Sequence, residues 1–182
     1  MRALLDTCVL YPTVMREVLL GAARDGFFVP FWSERILEEW ARAARKMGAT
    51  GEMQARAEIA IVSAEWPRAM ATPRGGDLAR LWLPDPADIH VLAAAISGSA
   101  DLIVTLNRKD FPRNILAEEG LSRSDPDALL TGFHAADPER MGHVAGRVLK
   151  EAERLSGEAW NMRALMKKAR LPRLGKALAQ TG

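Results

Sequence analysis

Residues 83–112, LPDPADIHVLAAAISGSADLIVTLNRKDFP, constrain the fold more than any other stretch of the chain. They read as a helix followed by a buried strand, with acidic residues at the mouth of each. Asp85 is a good N-cap, and Pro86 suits the first helical position, where a missing N–H costs nothing. The helix is expected to run to about Ser97, with Gly98 closing it. Helical spacing puts Asp88, Val91, Leu92 and Ala95 on one face. It turns His90, Ala94 and Ser97 the other way, His90 toward solvent. A carboxylate at Asp88 on the buried face is costly unless a metal ion or a cation compensates it. The run LIVTL, residues 102–106, is too short for a helix and fits a buried parallel strand. Asn107 and Asp110 follow it directly, and another strand is expected at about residues 81–83. Ligands of open α/β sheets bind beyond the carboxyl ends of the strands, so Asp88 and Asp110 can share one crevice.

The rest of the chain repeats this alternation. RALL leads into Asp6 as a first strand ending on a carboxylate. Thr13 can cap a helix over residues 14–24, and FFVPF at residues 27–31 reads as a second strand. Ser33 caps a helix to about Met47, with Ile36, Leu37, Trp40, Ala44 and Met47 as its apolar stripe. Glu39 lies at the edge of that stripe, whereas Glu38 points well away. A further helix fits residues 52–66, and PRGG at residues 73–76 is a loop. Strands alternating with helices indicate an α/β fold with a parallel sheet flanked by helices. Beyond residue 121 no strand is evident. Asp125-Pro126, Asp137-Pro138 and Leu171-Pro172 each look like helix starts, giving helices over about 127–133, 138–155, 158–170 and 172–180. The expected division is an α/β body at 1–121 and a small all-helical extension at 122–182.

At 182 residues there is enough chain for a full core plus that appendage. No run of eighteen apolar residues is present, so neither a membrane span nor a membrane partner is expected. The early Asp6 argues against a signal peptide, and a single cysteine, Cys8, suits the cytoplasm. Net charge is +2, with eleven Lys/Arg against seven Asp/Glu from Arg123 onward. That mildly basic tail is weak support for a polyanionic partner.

Four carboxylates have reason to converge: Asp6, Glu39, Asp88 and Asp110. Clustered carboxylates repel one another unless a cation neutralises them, and an all-oxygen set suits Mg²⁺ or Mn²⁺ rather than zinc. Phosphoryl transfer is the usual chemistry of that arrangement. Each residue also has a plainer role open to it. Asp6 can end a strand, Glu39 can be solvated, Asp88 can complete a capping box with Asp85, and Asp110 can hold the turn before Phe111. Thr105 and Asn107 can order a water or a carboxylate, or simply end the strand. Asp85 reads as a helix-start residue and Cys8 as a small core residue rather than a nucleophile.

In the segments LLDTCVLYP, FWSERILEEW, DPADIHVLAAAISGSADLIVTLNRKDFP and SDPDALL the chain resembles PIN-domain ribonucleases, in particular VapC-like toxins of toxin–antitoxin pairs. The resemblance implies a PIN-like parallel sheet with an acidic site, dependent on Mg²⁺ or Mn²⁺, that hydrolyses RNA phosphodiesters. Asp6, Glu39, Asp88 and Asp110 are its implied metal ligands, with Thr105 and Asn107 beside them. It further implies a cognate antitoxin protein and a homodimer, and the tail looks like the helical extension of one VapC-like subgroup. Many members carry an acid where this chain has Asn107, which leaves Asp110 as the fourth carboxylate. Two alternatives remain from the sequence: a DNA-processing nuclease on the same fold, and a PIN-like module that binds nucleic acid or protein without cutting.

Overall fold

The structure is a computed structural model that describes residues 1–48 and 50–181, Thr181 by its backbone alone. Its first strand, β1 (Arg2–Leu5), buries Ala3, Leu4 and Leu5, and the chain turns at Asp6 into the short helix α1 (Thr7–Leu10). Helix α2 (Thr13–Arg24) follows Pro12. Strand β2 (Val29–Phe31) is shorter than the apolar run around it. Pro30 has no N–H to give a ladder, which confines such a strand to a sheet edge. Helix α3 (Glu34–Ala43) is capped by Ser33, whose hydroxyl accepts from the Ile36 N–H at 3.3 Å. Residues Ala44–Met47, expected as its continuation, form a 3₁₀ turn instead.

Next come α4 (Gly51–Glu65) and α5 (Gly75–Arg80), then the 3₁₀ turn Pro86–Asp88, α6 (Ile89–Ser97), β3 (Leu102–Val104), α7 (Arg113–Glu118) and β4 (Ser122–Ser124). The sheet order is β2-β1-β3-β4, and β1 pairs in parallel with both β2 and β3. This is the expected α/β class with a parallel sheet and helices beyond it. Consecutive strands β1 and β2 lie side by side, but β3 returns on the far flank of β1. The order therefore reverses between β1 and β3, the place where such sheets bind ligands beyond their carboxyl ends.

Three further expectations fail in the first part of the chain and at its last strand, for identifiable reasons. Residues 81–83 form no strand: Leu81 and Leu83 are buried and Trp82 is 65 % exposed, so the in-out alternation is real, but the segment joins no ladder among the described residues. His90 does not face solvent. Helix α6 packs on α5, β1 and β3 and is buried almost all round, from His90 through Ala95, so no wheel position was free for solvent. Finally β4 lies beyond residue 121; its sequence SRS offers no apolar signal for an edge strand.

Two compact units make up the chain. The first comprises Met1–Tyr11 and Val29–Arg123 and contains the paired strands β1, β2 and β3. The second comprises Pro12–Phe28 together with the residues from Ser124 onward, so α2 belongs with the C-terminal helices. Those helices are α8 (Pro126–Ala136), α9 (Pro138–Ser156), α10 (Met162–Lys168) and α11 (Pro172–Thr181). Asp125 and Asp137 cap α8 and α9 as expected, accepting from Ala128 N at 2.8 Å and Arg140 N at 3.0 Å. Residues 158–161, expected to be helical, are not, and Asn161 caps the shortened α10. Within this unit Phe27 and Phe28 stack on Phe133, and the buried Asp127 carboxylate accepts both Arg173 N and Leu174 N at 2.9 Å.

Candidate metal centre

Register between two parallel strands sets the floor of the site. Leu5 stands opposite Val104, so the next residues, Asp6 and Thr105, leave the sheet together at its carboxyl end. Asp6 N donates to Val104 O at 3.1 Å. Thr105, fully buried, donates its hydroxyl to Asp6 Oδ2 at 2.7 Å and accepts from Asn107 N at 2.9 Å. Asn107 then reaches across with Nδ2 to Asp88 Oδ2 at 3.0 Å. Asp6, Thr105, Asn107 and Asp88 thus form one hydrogen-bonded line at the switch between β1 and β3. The amide at position 107 positions a carboxylate instead of adding one.

Asp88 sits where the 3₁₀ turn passes into α6. In a 3₁₀ turn, residues three apart eclipse. That geometry stacks Asp88 over Asp85, and Asp110 comes in from the loop after β3. Ligand atoms of Asp85, Asp88 and Asp110 lie within 4.8 Å of one another. Asp85 still caps its turn, accepting from Ala87 N at 2.8 Å, so its helix-start role and its place in the triad coexist. The Asp-x-x-Asp spacing was the sequence signal for this pair. Burial pushes the Asp88 carboxyl up to about 6, and the charges of Asp6, Asp85 and Asp110 push the same way. Three carboxyl groups this close form an all-oxygen donor set that a divalent cation with oxygen preference would satisfy. The residues present therefore fit a divalent metal ion bound through oxygen.

Asp6 and Glu39 stand outside that close triad. Asp6 acts on Asp88 through its charge. Glu39 is held from three sides: Thr7 donates to Oε2 at 3.1 Å, Arg35 to Oε1 at 3.3 Å, and His90 Nε2 lies 3.0 Å from Oε1. The His90 contact is close but misaligned for a hydrogen bond, and the buried Nδ1 has no partner. Burial works to raise the Glu39 carboxyl, yet His90, Thr7 and Arg35 hold it below the usual range. Glu38 is a different kind of residue. Arg56 and then Arg42 hold its carboxyl near 2, in a surface network that also takes in Glu52.

Cys8 donates to Asp6 Oδ2 at 3.1 Å and accepts from Leu106 N at 3.2 Å. Burial and the neighbouring Asp6 charge push its thiol up to about 12, so it serves as a protonated donor and not a nucleophile.

Residues 2–109 match the model of a protein family described as the PIN domain. No curated protein and no solved structure matches the chain.

Proposed function

The chain belongs to the PIN-domain family, and from that premise we propose that it is a metal-dependent endoribonuclease, the toxin of a VapC-like toxin–antitoxin pair. PIN domains are generally metal-dependent nucleases, and the observation that supports hydrolysis here is the convergence of Asp85, Asp88 and Asp110 beside Asp6. A bound Mg²⁺ or Mn²⁺ would supply the positive charge that activates water and steadies the leaving oxygen. The protein's own part is preorganisation. Thr105 and Cys8 fix the Asp6 carboxylate, Asn107 fixes Asp88, and Thr7, Arg35 and His90 hold Glu39 ionised at the rim. Asp85, Asp88 and Asp110 would hold one ion, Asp110 supplying the charge that Asn107 lacks, and a second ion would need the substrate phosphate as a further ligand.

RNA as substrate, a cognate antitoxin and a homodimer complete this reading, and the family resemblance supports them. Purified protein incubated with RNA and with DNA of the same sequence tests it. Cleavage of RNA that needs Mg²⁺ or Mn²⁺ and stops in EDTA is expected. Cleavage that survives full chelation would refute the metal reading, and equal cutting of DNA would refute the RNA preference. If an adjacent reading frame encodes a small DNA-binding protein, co-expression with it should yield a complex in which cutting is suppressed.

A further inference from the structure

Five of the eleven arginines in the first unit are held by carboxylates: Arg35 by Glu39, Arg42 and Arg56 by Glu38, Arg45 by Glu52, and Arg80 by Asp77 and Glu119. Of the other six, three lie close to one another around a single loop and strand. Arg108 lies two residues before Asp110, Arg113 three residues after it, and Arg123 is in β4, the sheet-edge strand beside β3. Among the described residues none of the three pairs with a carboxylate, and Arg123 Nε is buried with no hydrogen-bond partner. They lie near enough for like charges to act on one another. Burial of Arg123, then Arg108 and Arg113, depress its basicity. An unpaired cation, partly desolvated among two more cations, is the electrostatic inverse of the acidic triad. An anion would relieve it, as a metal would relieve the carboxylates.

We propose that Arg108, Arg113 and Arg123 form a phosphate-binding subsite that holds a backbone phosphate of the nucleic-acid strand next to the reacting one. Arginine forks suit phosphate oxygens bidentately, and interactions of this kind position a strand without reading its bases. The placement is economical in sequence, because the loop that delivers Asp110 also delivers Arg108 and Arg113. A strand drawn into the acidic cleft would otherwise meet only repulsion until metal is bound. This assignment rests on the nuclease reading above.

The test measures binding of a fluorescent single-stranded RNA and the same DNA sequence to the full chain, across a salt series, with Ca²⁺ replacing Mg²⁺ so that the strand stays intact. Arg108→Gln/Arg113→Gln, both at exposed positions, should fold normally and weaken binding about tenfold for both strands. The salt slope should fall by roughly 0.7 for each phosphate no longer neutralised. Arg123→Gln should do the same, and Arg123→Lys should recover part of the affinity. Arg68→Gln, beside β2 at the other edge of the sheet, should bind as wild type. Calorimetry with Mn²⁺ alone should show metal affinity in the double variant unchanged or tighter. If wild type binds RNA and the variants match it in affinity and slope, the subsite is refuted while the nuclease reading stands. Failure of the double variant to bind Mn²⁺, or weakened binding of RNA but not DNA, also refutes it. If wild type neither binds nor cuts either strand, the nuclease reading falls and the subsite with it.

Discussion

Asp88 carries the largest electrostatic strain in the site, and its sign predicts behaviour. Its folded pKa, near 6, lies above the ordinary 3.8. The stability it contributes is therefore fully present below about pH 4 and lost as pH rises through 6. In EDTA, Asp88→Asn should melt higher than wild type above pH 6, by on the order of 1 kcal/mol after allowance for solvent screening. The difference should vanish at pH 4, as a melting series can show. The same substitution should abolish metal binding and cleavage, because the amide keeps the Asn107 hydrogen bond but carries no charge. Asp110→Asn should act more gently, raising the Mg²⁺ needed for half-maximal rate. A second pair of variants separates neighbours: Glu38→Gln should cut normally, whereas Glu39→Gln should slow cleavage. The reverse result in an RNA-cleavage assay would mean that the Arg42–Arg56 network, not the hold of Thr7 and His90, governs the site. At this scale the sequence was legible wherever chemistry is local. Helical spacing separated Glu39, half-buried beside Thr7 and His90, from Glu38 in its surface arginine network, and a charge on an apolar face marked Asp88. Asp85 was read only as a cap because eclipsing in a 3₁₀ turn has no apolar signature, and His90 was turned the wrong way because spacing reports faces, not how many of them are covered.

Elements were legible where caps and apolar runs coincide and opaque where only pairing defines them. Ser33, Asp125 and Asp137 announced their helices, whereas β4 exists only because β3 lies beside it. Helix–helix fit was equally invisible in the sequence. A Cβ at Gly175 would stand 2.8 Å from the Met166 Cβ, and one at Gly21 would stand 2.8 Å from Val144 Cγ1. Gly175→Ala should therefore cost about 1–3 kcal/mol by forcing α11 off α10, despite alanine's better helix propensity. Asp127→Ala should cost a similar amount, since it leaves two α11 amides without their acceptor. Urea unfolding measures both. Stability equal to wild type would show that α11 contributes little to its unit.

On the scale of the whole molecule, the division at 1–121 and 122–182 would cut through a unit rather than between two. Helix α2 packs on α8 and α9, with Met15, Val18, Leu19 and Leu20 buried. A fragment of residues 1–121 should accordingly aggregate, or bind an apolar dye strongly, because α2 is left without its partners. A monomeric fragment that melts cooperatively and takes up Mn²⁺ like the full chain would refute this. The discontinuity also has a meaning in time. Ribosomes add about 5–20 residues per second, so α2 emerges on the order of ten seconds before the helices that cover it. Throughout that interval its apolar face is available to chaperones and to other nascent chains. The order of synthesis thus leaves α2, the first helix of its unit, uncovered longest, and only the arrival of the later helices ends that exposure.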